Sequence, residues 1–252
     1  MTISATAPTE GDHDAARSIA ALAGERLLSL RSSGLEGGEL KDAGDASSHA
    51  YIMDELTRQF PDDGILSEEG ADDARRLAQR RVWIVDPLDG TREFSEPPRV
   101  DWAVHVALTI DGHAVAGAVA LPARGLTLGT GDSLASPPRP NGPPRILVSR
   151  TRPTPFAELL AEHLEGELLP MGSAGAKAMA VVLGEADIYA HSGGQYEWDS
   201  AAPVAVAAMA GLHVSRLDGS PLRYNQPNPW MPDLLICRQD LAAAVIATCA
   251  AA

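Results

Sequence analysis

The densest group of residues able to do chemistry lies between Arg81 and Phe94, in the stretch RVWIVDPLDGTREF. Its apolar run, Val82 to Val85, has the length of a buried strand and ends abruptly in charge. Asp86-Pro87-Leu88-Asp89 reads as a β-turn, with Pro87 at the second position where its fixed φ already fits. Such a turn keeps its first and fourth Cα atoms within about 7 Å, so the carboxylates of Asp86 and Asp89 can converge. Two carboxylates that close repel unless a cation lies between them. An all-oxygen donor set suits Mg²⁺ or Mn²⁺ before zinc, and the Leu88 carbonyl is a further donor. Gly90 and Thr91 then read as a helix start, with free amides that could receive a phosphate. Together they point to metal-assisted phosphate chemistry; the alternative is a turn that merely ends a strand.

Other stretches offer matching groups, each with a plainer reading beside it. Gly64-Ile65-Leu66 is a short strand running into Ser67-Glu68-Glu69-Gly70. If it lies beside Val82–Val85, Glu68 stands next to Asp86 and Asp89; otherwise it belongs to a solvated acidic turn. Asp199 opens an alanine-rich helix, as a metal ligand or as a cap. Asp45 sits where the N-cap of a helix would be. Gly172 and Ser173 could offer an amide or hydroxyl to an anion, or simply cap a helix. His105 reads as a strand residue rather than a ligand.

These residues need elements to hold them. Helical spacing marks Asp14 to Leu30, and a helix from Ala46 to Phe60 follows a glycine-rich, mobile segment at 34–38. Asp72 to Arg80 is a surface helix or loop. Trp102, Val104, Val106, Leu108 and Ile110 alternate with smaller or polar residues as a strand does; Asp111-Gly112 turns it back into His113–Leu121. Thr127–Thr130 adds a strand before the Pro/Gly-rich run from Ser136 to Pro144, the best candidate boundary in the chain. Beyond it come strands at Arg145–Ser149, Ala186–Tyr189, His213–Leu217 and Leu234–Cys237. Helices are expected at Pro155–Leu164, from Glu197 to Gly211 with Met209 in the core, and at Leu241–Cys249. The division is therefore 1–136, an α+β subdomain with most metal ligands, and 145–252, an α/β subdomain with Asp199 and the substrate contacts.

With 20 basic and 34 acidic residues the net charge is -14, which argues against nucleic-acid and anionic-membrane partners. An acidic protein that handles an anionic substrate needs local positive charge, and bound metal ions supply it. Cys237 and Cys249 form no zinc-type cluster. The first dozen residues look frayed, the N-terminus lacks the pattern of a signal peptide, and no apolar stretch reaches the ~20 residues of a membrane span. The expectation is a soluble, cytoplasmic protein.

Ser67-Glu68-Glu69-Gly70, Asp86-Pro-Leu-Asp-Gly-Thr91 and Trp198-Asp199-Ser-Ala-Ala202, in this order and at these distances, resemble the inositol monophosphatase superfamily of lithium-sensitive, Mg²⁺-dependent phosphatases. Nearly the whole chain is covered. Arg92-Glu93-Phe94 is similar to the corresponding residues of the CysQ-type 3'(2'),5'-bisphosphate nucleotidases, and so are Ser149-Arg150 and Gly172-Ser173. The resemblance implies a layered α-β-α-β-α sandwich of class α+β. It implies removal of the 3'-phosphate of 3'-phosphoadenosine 5'-phosphate, with its 5'-phosphosulfate as a further substrate, in sulfate assimilation. Alternatives on the same fold are an inositol-1-phosphatase, a fructose-1,6-bisphosphatase, and a non-catalytic Mg²⁺- or nucleotide-binding regulator.

For the site, the resemblance implies two or three Mg²⁺ held by Glu68, Asp86, the Leu88 carbonyl, Asp89 and Asp199, with Mn²⁺ as a substitute and Li⁺ as an inhibitor. It implies in-line attack by a metal-bound water positioned by Thr91, which Asp45 orients and Glu69 assists. Gly90 and Thr91 amides would bind phosphate, and Arg150, Gly172, Ser173, Arg223 and Tyr224 the rest of a small phosphorylated nucleotide. A homodimer is common among such relatives. The segment Lys41-Asp-Ala-Gly-Asp45 departs from the family pattern and keeps only the aspartate in register.

Overall fold

The computed structural model describes residues 7–151 and 153–251; the expected fraying of the first dozen residues lies partly outside these, and Thr9 to Asp12 instead form a capped helix start. Two long helices come first, α1 (Glu10–Arg31) and α2 (Gly37–Gln59). A five-stranded sheet follows, in the order β1 (Gly64–Ser67), β2 (Arg81–Asp89), β3 (Ala103–Ile110), β4 (His113–Leu121), β5 (Leu126–Gly129), with the four-residue helix α3 (Thr91–Phe94) after β2. β1 and β2 are parallel and the rest antiparallel.

The later half supplies β6 (Arg145–Ser149), α4 (Pro155–Leu164), β7 (Glu167–Met171), α5 (Ala174–Val182), β8 (Ile188–His191), β9 (Gln195–Tyr196), α6 (Glu197–Met209), β10 (His213–Ser215), β11 (Trp230–Met231), β12 (Leu234–Cys237) and α7 (Ala242–Ala251). Its sheet runs β10-β12-β8-β6-β7, and β9 and β11 form a separate two-stranded ribbon.

Burial explains the layering. In β2, Trp83 and Val85 pack with α1 and α2, whereas Val82 and Ile84 face a second apolar cluster built from α5, α6 and both sheets. A strand buried on both faces reads as a continuous apolar run, which is why Val82–Val85 stood out. A third cluster joins α4 and α7 to the outer face of the second sheet, through residues such as Ile146, Leu160, Leu235 and Val245. The order is α1/α2, sheet, α5/α6, sheet, α4/α7: the expected α-β-α-β-α sandwich. No helix among the described residues is long and apolar enough to cross a membrane.

Several local expectations give way. Asp45 is no N-cap: α2 begins at Gly37, so Asp45 lies inside the helix and the glycine-rich segment is partly helical. Gly44 shows what overrides its poor helix propensity, because a Cβ there would meet Phe94 at 2.8 Å and Leu88 at 3.0 Å. Asp86 to Asp89 is not a free turn either; the residues continue β2 against β3 with a bulge between Asp86 and Asp89. Met209 is 49% exposed at the end of α6, not in the core.

Candidate active site

The bulge delivers two carboxylates to one place. Asp86 pairs with His105 and Asp89 with Ala103, and between them the Leu88 amide donates to Asp86 Oδ1 at 3.0 Å. Asp199, in the first turn of α6, completes a group whose ligand oxygens all lie within 4.8 Å of one another. The parallel β1–β2 register sets Ser67 opposite Val85, and the Glu68 amide donates to the Val85 carbonyl at 3.3 Å. Glu68 thus falls beside Asp86, as the adjacency of the two strands predicts.

Crowding leaves its mark on the protons. Burial, then Glu68, Asp89 and Asp199, push the Asp86 carboxyl well above the usual carboxylate range. Burial and Asp89 raise Asp199 to about 6. Glu68 is exposed as a residue, yet its carboxyl points into the cluster, where desolvation and nearby carboxylates push it up to about 7. Glu68 and Asp86 lie close enough to share a proton when no metal is bound. Four carboxyl groups that cannot all ionise together are the donor set a hard cation suits.

Asp89 differs. Burial pulls its carboxyl upward, but His105, the Ser173 hydroxyl and the Gly175 amide outweigh that and hold it below the usual range. Ser173 Oγ donates to Asp89 Oδ2 at 2.5 Å, the Gly175 amide to the same oxygen at 2.6 Å, and the Ala174 amide to Oδ1 at 3.1 Å. Asp89 therefore sits at the start of α5, where helix amides favour an anion.

His105 is a site residue that its strand pattern concealed. A carbonyl can only accept, so Nδ1, 3.0 Å from the Trp198 carbonyl, carries a hydrogen. Nε2 then faces Asp89 Oδ2 at 3.2 Å, off the line of an aligned hydrogen bond. Burial alone would lower the His105 pKa, but the Asp89 carboxylate raises it on balance.

The cluster opens through Asp89 and Asp199 onto a cavity of about 550 Å³. Gly90, Thr91, Arg150, Gly172 and Ser173 line it. Their polar atoms are partly committed. The Gly172 amide donates to Asp101 at 2.7 Å, and Ser173 caps α5 by accepting from the Ala176 amide at 3.0 Å. Arg150 donates to Glu93 at 2.7 Å and to Glu96 at 3.0 Å, which ties the Arg92-Glu93-Phe94 stretch across the cleft. Thr91 Oγ1 donates its hydrogen to the Leu88 carbonyl at 3.1 Å, not to Asp45. Asp45 instead lies near Glu69; burial first, and then that carboxylate, raise it to about 6.

Arg223 and Tyr224 do not line the cavity. The Tyr224 amide donates to Gly112 in the β3–β4 turn, the opposite end of β3 from Ala103, and Arg223 bonds His113. Tyr224 is buried, with its hydroxyl 3.3 Å from Ser200 Oγ. The group in the cavity wall that sequence reasoning passed over is Lys177, on the inner turn of α5. Its Nζ donates to the Ser173 carbonyl at 2.6 Å and the Gly172 carbonyl at 3.1 Å. The signal was present, since a lysine in the otherwise apolar AGAKAMAVV is out of pattern.

Comparison with known proteins places these features. The sequence pattern of the Inositol monophosphatase family matches residues 10–250. A Mycobacterium leprae protein named 3'-phosphoadenosine 5'-phosphate phosphatase is 48% identical over 245 residues, covering 92% of this chain and 90% of its own. The Escherichia coli 3'(2'),5'-bisphosphate nucleotidase CysQ is 34% identical over 194 residues, covering 72% of this chain and 78% of its own. The crystal structure of CysQ from Bacteroides thetaiotaomicron superposes with a TM-score of 0.80 at 26% identity, covering 91% of this chain and 98% of that one.

Proposed function

The chain belongs to the inositol monophosphatase family, and from that premise we propose that it is a metal-dependent phosphomonoesterase removing the 3'-phosphate of 3'-phosphoadenosine 5'-phosphate to leave AMP. One observation carries the chemistry: Asp86 and Asp89 from β2 and Asp199 from α6 bring carboxylate oxygens within 4.8 Å at the wall of a cavity. The nucleotide is the reading favoured by relatives that bear that name at 48% and 34% identity.

The family is metal-dependent, and the donor set fits Mg²⁺, with Mn²⁺ as an alternative: oxygen donors, crowded, with protons held above their ordinary range. Glu68, Asp86, the Leu88 carbonyl, Asp89 and Asp199 would hold it. When bound it supplies Lewis-acid polarisation of the phosphate and activation of water.

The remaining work falls to the chain. Lys177, whose amine burial pulls below its usual pKa against the opposing pull of Asp89 and Asp199, would bring positive charge to the cavity for phosphate oxygens. The Gly90 and Thr91 amides at the head of α3 would serve as backbone donors for the same group, and the Thr91 hydroxyl, which donates to the Leu88 carbonyl, would turn to orient the attacking water. Asp45, at about 6, suits acceptance of a proton near neutral pH, with Glu69 beside it. Arg150, held by Glu93 and Glu96, presents a fixed edge to a second phosphate. In this reading residues 1–136 carry most metal ligands, and residues 145–252 carry Asp199 and the substrate wall.

The test is phosphate release at matched concentrations of 3'-phosphoadenosine 5'-phosphate, inositol 1-phosphate and fructose 1,6-bisphosphate, each with Mg²⁺ and with a chelator. Metal-dependent turnover of the nucleotide above the other two is the expected result. Preference for inositol phosphate would overturn the substrate, and silence on all three the enzyme.

A further inference from the structure

Aromatic side chains are scarce here, 4% of residues, and nearly all those described are at least partly buried. Among the described residues, Tyr196 and Trp230 alone of the aromatics are exposed, at 45% and 49%, and both line the cavity that holds Asp89 and Asp199. They are direct cross-strand partners in the β9–β11 ribbon, so their rings rise on the same face.

The pair is built to be rigid. The Trp198 ring stacks on Tyr196 with centroids 4.7 Å apart and planes 9° from parallel, which backs one face of the tyrosine. The Trp230 indole lies over Gly194, where a Cβ would meet Nε1 at 2.9 Å. The Tyr196 amide donates to Asp199 at 2.6 Å, and the Trp198 carbonyl accepts from His105. The ribbon is thus tied to the carboxylate cluster. The loop leading into β11 is itself held, because Glu197 accepts from the Asn225 amide at 2.6 Å and the Gln226 amide at 2.8 Å.

From this we infer that Tyr196 and Trp230 form a stacking platform for the planar base of the substrate and set the preference for nucleotides over base-free phosphate esters. Exposed aromatic rings left in water on a cavity wall, fixed in advance by their neighbours, favour a flat π-system at low ordering cost. A cavity of about 550 Å³ is in the range that takes a small organic ligand. The inference rests on the reading of the substrate as a nucleotide and names the residues that make it one.

The test compares kcat and KM of the wild type with Trp230→Leu, Tyr196→Leu and Trp230→Phe, using 3'-phosphoadenosine 5'-phosphate and a base-free ribose phosphate. Stacking on one aromatic ring corresponds to an increase in KM for the nucleotide of about 5- to 100-fold on removal of the ring. That rise, with kcat held and with Trp230→Phe keeping most of the affinity, is the expected result. An unchanged KM, or an equal loss on both substrates, would overturn the platform. Should Tyr196→Leu fail to fold by circular dichroism, Trp230→Leu on the exposed ribbon carries the comparison. If the wild type itself prefers the base-free ester, the proposed substrate fails, and free adenosine then decides the platform. Competitive inhibition by adenosine that Trp230→Leu relieves supports it; absence of inhibition in the wild type overturns it.

Discussion

Replacing Asp199 by asparagine should stabilise the metal-free protein while destroying its catalysis. Burial and the neighbouring Asp89 raise the Asp199 carboxyl from an ordinary 3.8 to about 6. A raised acid is held more tightly by the folded state than by the unfolded chain. Wild-type stability is therefore lost as pH climbs through about 4 to 6, and the loss is complete above about pH 7. At 1.36 kcal/mol per pH unit the cost approaches about 3 kcal/mol. Asp199 is partly exposed, which reduces this to about 1–2 kcal/mol. Asparagine keeps an oxygen for the Tyr196 amide, but loses about 0.3–1 kcal/mol of charge at the start of α6. The net gain is about 1 kcal/mol, or about 2–4 °C in Tm for a chain of this size.

The assay is calorimetry of both proteins in EDTA at about pH 8 and about pH 4, then at the higher pH with Mg²⁺. The variant should melt higher in EDTA at the upper pH and lose that advantage at the lower. Added Mg²⁺ should raise the wild type alone. A variant less stable than wild type by the same amount at both pH values would refute this reasoning and make Asp199 a helix cap only.

Other perturbations probe the surroundings of the cluster. His105→Leu removes the ring that braces Asp89 and should lower Mg²⁺ affinity about 10–100-fold by loosening that ligand, read as the Mg²⁺ concentration for half-maximal activity. Gly175→Ala sets a Cβ 2.1 Å from His105 Nε2 and should cost about 1–3 kcal/mol of stability in urea titration, with activity falling alongside. Lys177→Gln removes a buried charge from the cavity and should raise the inhibition constant for inorganic phosphate about 10–100-fold, since a hydrogen bond to a charged group contributes about 1.5–3 kcal/mol.

The carboxylates were legible because each closes a locally patterned element. Val82–Val85 is apolar enough to be a central strand and the alanine-rich run after Asp199 reads as a helix, while the place of Gly64–Leu66 beside Val82–Val85 was only a condition, which the parallel β1–β2 register meets. What stayed hidden depended on long-range geometry. His105 looks like any inward residue of an alternating strand, and only the crossing of α5 and α6 over β3 shows that Asp89 and the Trp198 carbonyl are its partners. The start of α2 was misjudged because Gly37, Gly38 and Gly44 argue against a helix locally, whereas packing against Phe94 and Leu88 decides it. Arg223 and Tyr224 lie in an aperiodic segment that Arg76 and Glu197 anchor through Asn225 and Gln226, a path no pattern encodes. The β9–β11 ribbon has two residues per strand, too few for any alternation to appear.

The most direct test of the account is an anomalous difference map from a crystal soaked in Mn²⁺. It should show density enclosed by Asp86, Asp89 and Asp199, with Glu68 at its edge, and the same soak should lose that density in Asp89→Asn. Density elsewhere, or none in a protein that still releases phosphate from its substrate in EDTA, would contradict the claim that this carboxylate cluster is a metal-dependent catalytic centre.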